Sequence, residues 1–261
     1  MSFKVLLMLA TLPFHSCNNS VVNPIKQNNV VIQNDKQDNP YKYIKDIPLP
    51  EGFKRIEGDN TSFMYFLQNI ELKKNKTVYK FDGTPKLNQS AQFAVLDISV
   101  GTKDLQQCAD AVMRLRAEYL FSLKKYAEIC FKDNNGTKYQ FTTPYSKDNL
   151  IKYLQRVFGM CGSASLSKEL KQAEFSTIQS GDVIIRGGFP GHAVIVMDVA
   201  ENKAGEKIYL LAQSYMPAQD IHVLVNPMDE NLSPWYKVNN DKTIETPEYL
   251  FYRTELKRWV K

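Results

Sequence analysis

A cysteine at a predicted helix start and a histidine at a predicted strand start could together break an amide bond. Cys108 lies near the beginning of the strongest helical pattern, and His192 follows a Gly/Pro turn and opens an apolar stretch. The chain contains only three histidines, and His15 lies in a stretch typical of a signal segment. An imidazole at the mouth of a hairpin is a candidate general base, but a strand-end histidine bonded to a backbone carbonyl is an equally good interpretation.

The environment predicted for Cys108 favours a reactive thiol. A thiol becomes a good nucleophile when its pKa falls, and both a helix N-terminus and a neighbouring imidazole lower it. The helical pattern runs from about Asp104 to Glu128 with Asp104 as the N-cap, which places Cys108 in the first turn. We therefore expect Cys108 to have a depressed pKa and to be alkylated faster than Cys130 or Cys161. The alternative is a structural role, because Cys108 also belongs to the apolar stripe of the helix.

A third polar residue is needed to orient the imidazole. If the loop of the next hairpin is centred near Lys203, residues whose numbers sum to about 405 or 406 face each other. His192 then lies beside Gln213 or Ser214, and Gln213 is the better candidate because one hydrogen bond from an amide fixes a tautomer. Gln213 could instead only close a strand edge, and the register could slip by one residue.

Four further residues are candidates for substrate binding or for the base. Arg186 could bind a carboxylate in a bidentate manner through two N–H groups of its guanidinium, or it could be a solvated turn residue. Gly191 and Ser214 flank the candidate site and are predicted to contact substrate. His222 is a rival base, but it has no carboxylate or histidine at the spacing of a metal site. We expect neither a metal nor a cofactor.

The amino-terminal residues indicate export and attachment to a membrane. Lys4 is followed by the apolar stretch 5–12 and then by Cys17, which is the order of a lipoprotein signal. The apolar stretch is too short to span a bilayer. We expect residues 1–17 to be the signal, Cys17 to be lipidated, and the polar residues 18–40 to form a flexible tether. Simple secretion or an uncleaved anchor is the alternative.

The remaining residues, 41–261, are long enough for one domain with a large core. The net charge of the 261-residue chain is only +5, and no run of Lys and Arg alternates with aromatic residues, so nothing indicates nucleic acid as a partner. Three cysteines remain besides Cys17, so in an exported protein at least one thiol is free or pairs with another chain.

The order of the predicted elements indicates an α+β domain, with N-terminal helices packed on an antiparallel sheet. Helical patterns occur at 62–70, 104–128 and 147–160. Strand patterns occur at 77–81, 92–100, 182–186, 192–199, 207–214 and 219–225. We expect the last four strands to be neighbours in one sheet and the helix that contains Cys108 to pack on it.

Part of this pattern resembles the papain-like amidases of the NlpC/P60 and CHAP superfamily. The residues that carry the resemblance are Gly181-Asp182-Val183 and Gly191-His192-Ala193-Val194-Ile195-Val196, downstream of a helix-start cysteine. The resemblance implies a single papain-like α+β domain that hydrolyses amide bonds, commonly in peptidoglycan peptides. By position it makes Cys108 the nucleophile, His192 the base and Gln213 the orienting residue. The chain departs from the pattern at Gln107, where such amidases usually carry an acidic residue.

From Tyr41 to Tyr236 the chain also resembles a family of uncharacterised bacterial lipoproteins, through residues 104–119, 163–170 and 212–222. This second resemblance implies no activity. We expect a thiol amidase or peptidase anchored by lipid to a Gram-negative membrane, in the periplasm or on the outer-membrane surface, with peptidoglycan or another peptide as substrate. The alternatives are a non-catalytic lipoprotein that binds glycan or peptide on an amidase-like scaffold, and a purely structural envelope protein.

Overall fold

A nine-stranded sheet organises residues 38–260, which are the part of the chain that the computed structural model describes. The described helices are α1 (Phe63–Gln68), α2 (Cys108–Ser122), α3 (Lys147–Phe158) and α4 (Ser163–Glu169). The strands are β1 (Phe53–Arg55), β2 (Gln92–Val95), β3 (Cys130–Lys132), β4 (Lys138–Gln140), β5 (Lys171–Gln172), β6 (Val183–Arg186), β7 (His192–Asn202), β8 (Lys207–Gln213), β9 (His222–Leu224), β10 (Tyr236–Lys237), β11 (Thr243–Glu245), β12 (Leu250–Tyr252) and β13 (Leu256–Arg258). The predicted α+β class is confirmed.

The main sheet has the order β2-β9-β8-β7-β6-β13-β5, with β1 added to β7 and β10 added to β8. Each described pairing in it is antiparallel. The four strands predicted from 182 to 225 are therefore neighbours, as β6, β7, β8 and β9. Two hairpins, β3–β4 and β11–β12, form separate two-stranded sheets.

The two faces of the sheet are covered by different elements. Alternate residues of β7 such as Ala193 and Ile195 pack in the cluster that also contains Val112 and Leu115 of α2. The residues between them, such as Val194, pack in a second cluster with residues of the β11–β12 hairpin. The prediction that the Cys108 helix packs on this sheet is confirmed.

Several predicted boundaries are wrong. The long helix begins at Cys108 and ends at Ser122, and its N-cap is Gln107, whose backbone N–H donates to Asp110 Oδ2 at 3.0 Å. Asp104 lies before this cap, and its carboxylate accepts from the backbone N–H of Ala218 at 2.7 Å. The helix predicted to run to residue 160 ends as α3 at Phe158 with Gly159 as its C-cap, and Gly162 is the N-cap of α4. Residues 77–81 make only isolated bridges instead of a strand.

The amino-terminal predictions lie outside the described residues, since they concern 1–17 and most of 18–40. Within residues 38–260, no helix has both the length and the apolar composition needed to cross a bilayer. The first described contacts are a bridge between Asp38 and Asn75 and a hydrogen bond from Asn39 N–H to the carbonyl of Lys74.

Candidate active site

The first residue of α2 is Cys108, and its thiol lies against β7. Three backbone N–H groups, those of Ala109, Ala193 and Cys108 itself, lie near the sulfur and favour the thiolate. Ala193 directly follows His192 in β7, so the helix start and the strand start meet at this point. The pairing of β7 with β8 ends at Ile195 and Ala212.

The pKa of the Cys108 thiol is higher than the sequence predicted. Burial, followed by the neighbouring Asp110 carboxyl, raises the pKa of Cys108 to about 11. The three N–H groups favour the thiolate, but their effect is smaller than the cost of removing the charge from water. The prediction of a depressed pKa is therefore wrong for this arrangement. Burial raises the pKa of Cys161 further, to about 12, and also raises the pKa of Cys130.

The His192 ring is held by Gln213, the residue selected from hairpin arithmetic. His192 Nε2 lies 2.8 Å from Gln213 Oε1, and both side chains are buried. An amide oxygen only accepts hydrogen bonds, so Nε2 carries the proton and Nδ1 keeps its lone pair. This is the tautomer that a base acting through Nδ1 requires.

Aromatic residues surround the other sides of His192. The ring centroids of Tyr215, Tyr249 and Phe251 lie 4.8, 4.9 and 5.7 Å from that of His192. Burial among them lowers the pKa of His192 to about 4, and the hydrogen bond with Gln213 offsets only part of this effect. The imidazole is thus neutral at physiological pH, and the resting pair is a thiol and a neutral ring.

The side chains of Cys108 and His192 are not hydrogen-bonded to each other. Among the hydrogen bonds of residues 38–260, none connects the Cys108 sulfur with the His192 ring. The ring contacts Phe251, which packs on the sheet face opposite α2, whereas Cys108 packs with the α2 cluster. A step in which the thiol loses its proton to this ring therefore requires a change of side-chain conformation.

Sequence reasoning missed two charged residues behind Gln213. Gln213 Nε2 donates to Glu248 Oε2 at 2.8 Å, and Lys86 Nζ lies 2.6 Å from the same oxygen. Lys86 is only 8% exposed, and Glu248 is its ion-pair partner. Neither residue lies near Gln213 in sequence, so no spacing could have indicated them.

The three predicted substrate-binding residues have well-defined partners in this structure. The Arg186 guanidinium binds both carboxylate oxygens of Glu255, at 2.6 and 2.9 Å, so one edge of its fork is occupied. Gly191 is closely surrounded, and a Cβ there would lie 2.6 Å from the Arg186 carbonyl oxygen. Ser214 Oγ lies 2.8 Å from the carbonyl oxygens of both Gln106 and Gln219. Ser214 thus ties the segment before Cys108 to the segment after β8.

The rival base, His222, is completely buried, and burial lowers its pKa to about 3. Its Nδ1 lies 2.9 Å from the carbonyl oxygen of Asp220, so Nδ1 carries the proton, and its Nε2 has no partner among the described residues. No group of three or more His, Cys, Asp or Glu side chains within residues 38–260 has the arrangement of a metal site.

A cavity of about 240 Å³ lies between the segment before α2 and α3. Its lining includes Leu105, Gln106, Arg114, Leu154 and Phe158. The side-chain amide nitrogen of Gln106 is buried and has no hydrogen-bond partner within the described part of the chain. The cavity combines an apolar wall with polar groups, as small-molecule sites do.

Comparison with known families gives one match. The model of a family described as "Domain of unknown function (4846)" matches residues 44–145 and 140–258, which together make up most of the chain. No curated protein and no solved structure matches. The expectation of an uncharacterised family is thus confirmed, and the relation to the papain-like amidases stays a prediction.

Proposed function

We propose that this chain, which belongs to the family described as domain of unknown function 4846, is a thiol-dependent amidase or peptidase of the cell envelope. Two linked observations support the proposal most: His192 Nε2 lies 2.8 Å from Gln213 Oε1, and Ala193, the residue after His192, lies against the helix-start Cys108. A cysteine at a helix start, a histidine at a strand start and an amide on the next strand are the arrangement of papain-like amidases. We therefore also propose a papain-like fold.

In the proposed reaction, Cys108 Sγ attacks the carbonyl carbon of the scissile amide while His192 Nδ1 takes the thiol proton. The backbone N–H of Cys108, free at the start of α2, donates to the oxyanion. Collapse of this intermediate expels the amine, which receives the proton from His192, and leaves a thioester on Cys108. Water then attacks the thioester with His192 as base, which releases the carboxylic acid and restores the thiol.

Peptides of peptidoglycan are the proposed substrates, with Arg186, Gly191 and Ser214 as the proposed contacts. For Arg186 to bind a substrate carboxylate, Glu255 must share or release its guanidinium group. Fragments of peptidoglycan with free stem peptides, incubated with the full chain and analysed by mass spectrometry, should show cleavage of one amide bond. The Cys108→Ala variant should release no product, and Cys130→Ser should retain activity. An active Cys108→Ala variant, or a wild type that cleaves none of these peptides, would refute this assignment.

Attachment to a membrane through a lipid on Cys17 is part of the same proposal, with residues 18–40 as the tether and the periplasm or outer-membrane surface as the location. The wild type expressed with its signal should sediment with membranes, and Cys17→Ser should appear in the soluble fraction. Cys130→Ser, which alters a thiol of the folded part, should fractionate like the wild type. Recovery of the wild type in the soluble fraction would contradict lipidation.

A second function, non-catalytic binding of glycan or peptide, is favoured by two observations. The thiol and the ring are not hydrogen-bonded, and the cavity beside Leu105 and Gln106 is large enough for part of a small ligand. In this case Cys108→Ala would leave binding of the same peptidoglycan fragments unchanged, and no cleavage would be seen with either protein.

A further inference from the structure

A row of polar side chains runs from the His192 ring through Gln213 and Glu248 to Lys86. The successive heavy-atom distances are 2.8 Å from His192 Nε2 to Gln213 Oε1, 2.8 Å from Gln213 Nε2 to Glu248 Oε2, and 2.6 Å from Glu248 Oε2 to Lys86 Nζ. The four residues come from distant parts of the chain, and the exposed fractions of the Lys86 and Glu248 side chains are only 8% and 14%. The direction of such a row is the order of its hydrogen-bond donors and acceptors, which is fixed once one member can only donate or only accept a hydrogen bond.

The charges at one end determine that direction. An ammonium group only donates, and a carboxylate only accepts. One carboxylate oxygen of Glu248 lies within hydrogen-bond distance of both Lys86 and Gln213, and because it can only accept, Gln213 turns its NH₂ group toward Glu248. The Gln213 oxygen then faces His192 and requires a proton on Nε2.

We propose that the Lys86–Glu248 ion pair is a positioning device that sets the tautomer of His192, so that Nδ1 keeps the free lone pair. Gln213 alone has no such preference, since its amide can present either the oxygen or the NH₂ group to the ring. The tautomer does not depend on the proposed hydrolysis, but the use of Nδ1 as the base rests on that proposed function. Glu248 and Lys86 act through Gln213 and do not touch the substrate.

The Glu248→Leu variant is expected to lose the direction of the row. A leucine side chain neither donates nor accepts, so Gln213 can present either its oxygen or its NH₂ group to the ring, and Nε2 is then protonated in only part of the molecules. Glu248→Gln is expected to keep the direction, because Lys86 and Gln213 contact the same oxygen of Glu248, and the amide oxygen of a glutamine can accept from both. In the double variant Lys86→Met/Glu248→Gln no ammonium group holds that amide oxygen in place, so the direction is expected to be lost again.

The experiment is nitrogen-15 NMR of the imidazole groups in the full chain, with the His192 signals identified by their loss in His192→Ala. The wild type and Glu248→Gln are both expected to show a protonated Nε2 and a bare Nδ1. Glu248→Leu and Lys86→Met/Glu248→Gln are expected to show a mixture of both tautomers. Glu245→Gln, a change at an exposed glutamate of β11, is the matched control and should leave the wild-type spectrum unchanged.

A wild type protonated on Nδ1, or a folded Glu248→Leu protein with the unmixed wild-type tautomer, would overturn the inference. If Glu248→Leu does not fold by circular dichroism, the spectrum of Lys86→Met/Glu248→Gln decides, and an unmixed wild-type tautomer there overturns it. Cleavage by Glu248→Leu is expected to fall in proportion to the loss of the wild-type tautomer, whereas Glu248→Gln is expected to retain it. Mixed tautomers in Glu248→Leu, found for a protein whose wild type cleaves no amide, would support the inference and reject the proposed function separately.

Discussion

Cleavage by the His192→Ala variant is expected to be about 10²–10⁴-fold slower than cleavage by the wild type, the usual contribution of a general base. The loss should be large here because burial raises the pKa of the Cys108 thiol to about 11, so little thiolate forms without a base. Added imidazole should restore part of the activity by entering the space left among Tyr215, Tyr249 and Phe251. The measurement is the rate of product release with and without imidazole.

The pH dependence of kcat/KM provides an independent check on the same residue. Burial lowers the pKa of His192 to about 4, so the ring is neutral and can accept a proton at higher pH. When the pH falls through about 4 the ring becomes protonated, and kcat/KM should decline there instead of near 6.5. A His192→Ala variant with full activity, or an acid limb that is the same with and without His192, would contradict its assignment as the base.

The sequence predicted the strand order well because burial on both faces leaves a strong apolar signal. In β7, residues His192 to Ala200 are all buried, and both clusters of the core draw on this strand. The ends of the helices were predicted less well, because their caps depend on distant parts of the chain. Aspartate is a residue type that commonly caps helices, but the Asp104 carboxylate accepts a hydrogen bond from the backbone N–H of Ala218, which is distant in sequence.

The hairpin register from which Gln213 was predicted was only partly correct. The hairpin turn lies one residue later than expected, since Ala200 faces Ile208, and a bulge between Val196 and Asp198 then shifts the register again. Ile195 consequently faces Ala212, and continuing this register past the end of the pairing places Val194 opposite Gln213. The amide reaches His192 diagonally, two residues along β7 on the same face. A bulge leaves no clear mark in the sequence, so this geometry could not be derived in advance.

The electrostatics of the site were the least predictable feature. The position of Cys108 at a helix start was predicted correctly, but the direction of its pKa shift depends on burial and on Asp110 two residues later. Likewise, Lys86 and Glu248 reach Gln213 only because the loop after residue 77 and the β11–β12 hairpin come together there. Local sequence carries no information about such contacts.

The Arg55→Met variant is expected to lose about 3–5 kcal/mol of unfolding free energy, because it leaves a charged carboxylate buried without its partner. Asp198 is fully buried beside the β7 bulge, where Arg55 Nε lies 2.7 Å from Oδ2 and Gln68 Nε2 donates to Oδ1 at 2.8 Å. Arg55 also donates to the carbonyl oxygen of Ile47, so its side chain links the amino-terminal segment to the sheet. Urea unfolding followed by circular dichroism measures the loss.

Lys237→Met is the matched control, because Lys237 and Glu206 form an ion pair whose side chains are 49% and 46% exposed. Its removal should cost no more than about 1 kcal/mol.

The two variants should also differ in their response to pH. Burial already raises the pKa of Asp198, and without Arg55 the folded state can avoid the buried charge only by binding a proton. A raised folded-state pKa makes stability fall as pH rises, so the loss in Arg55→Met should be smaller at about pH 5 than at about pH 8. Equal losses at the two pH values, or a loss no larger than that of Lys237→Met, would show that Arg55 does not compensate the charge of Asp198 at the bulge that sets the register between His192 and Gln213.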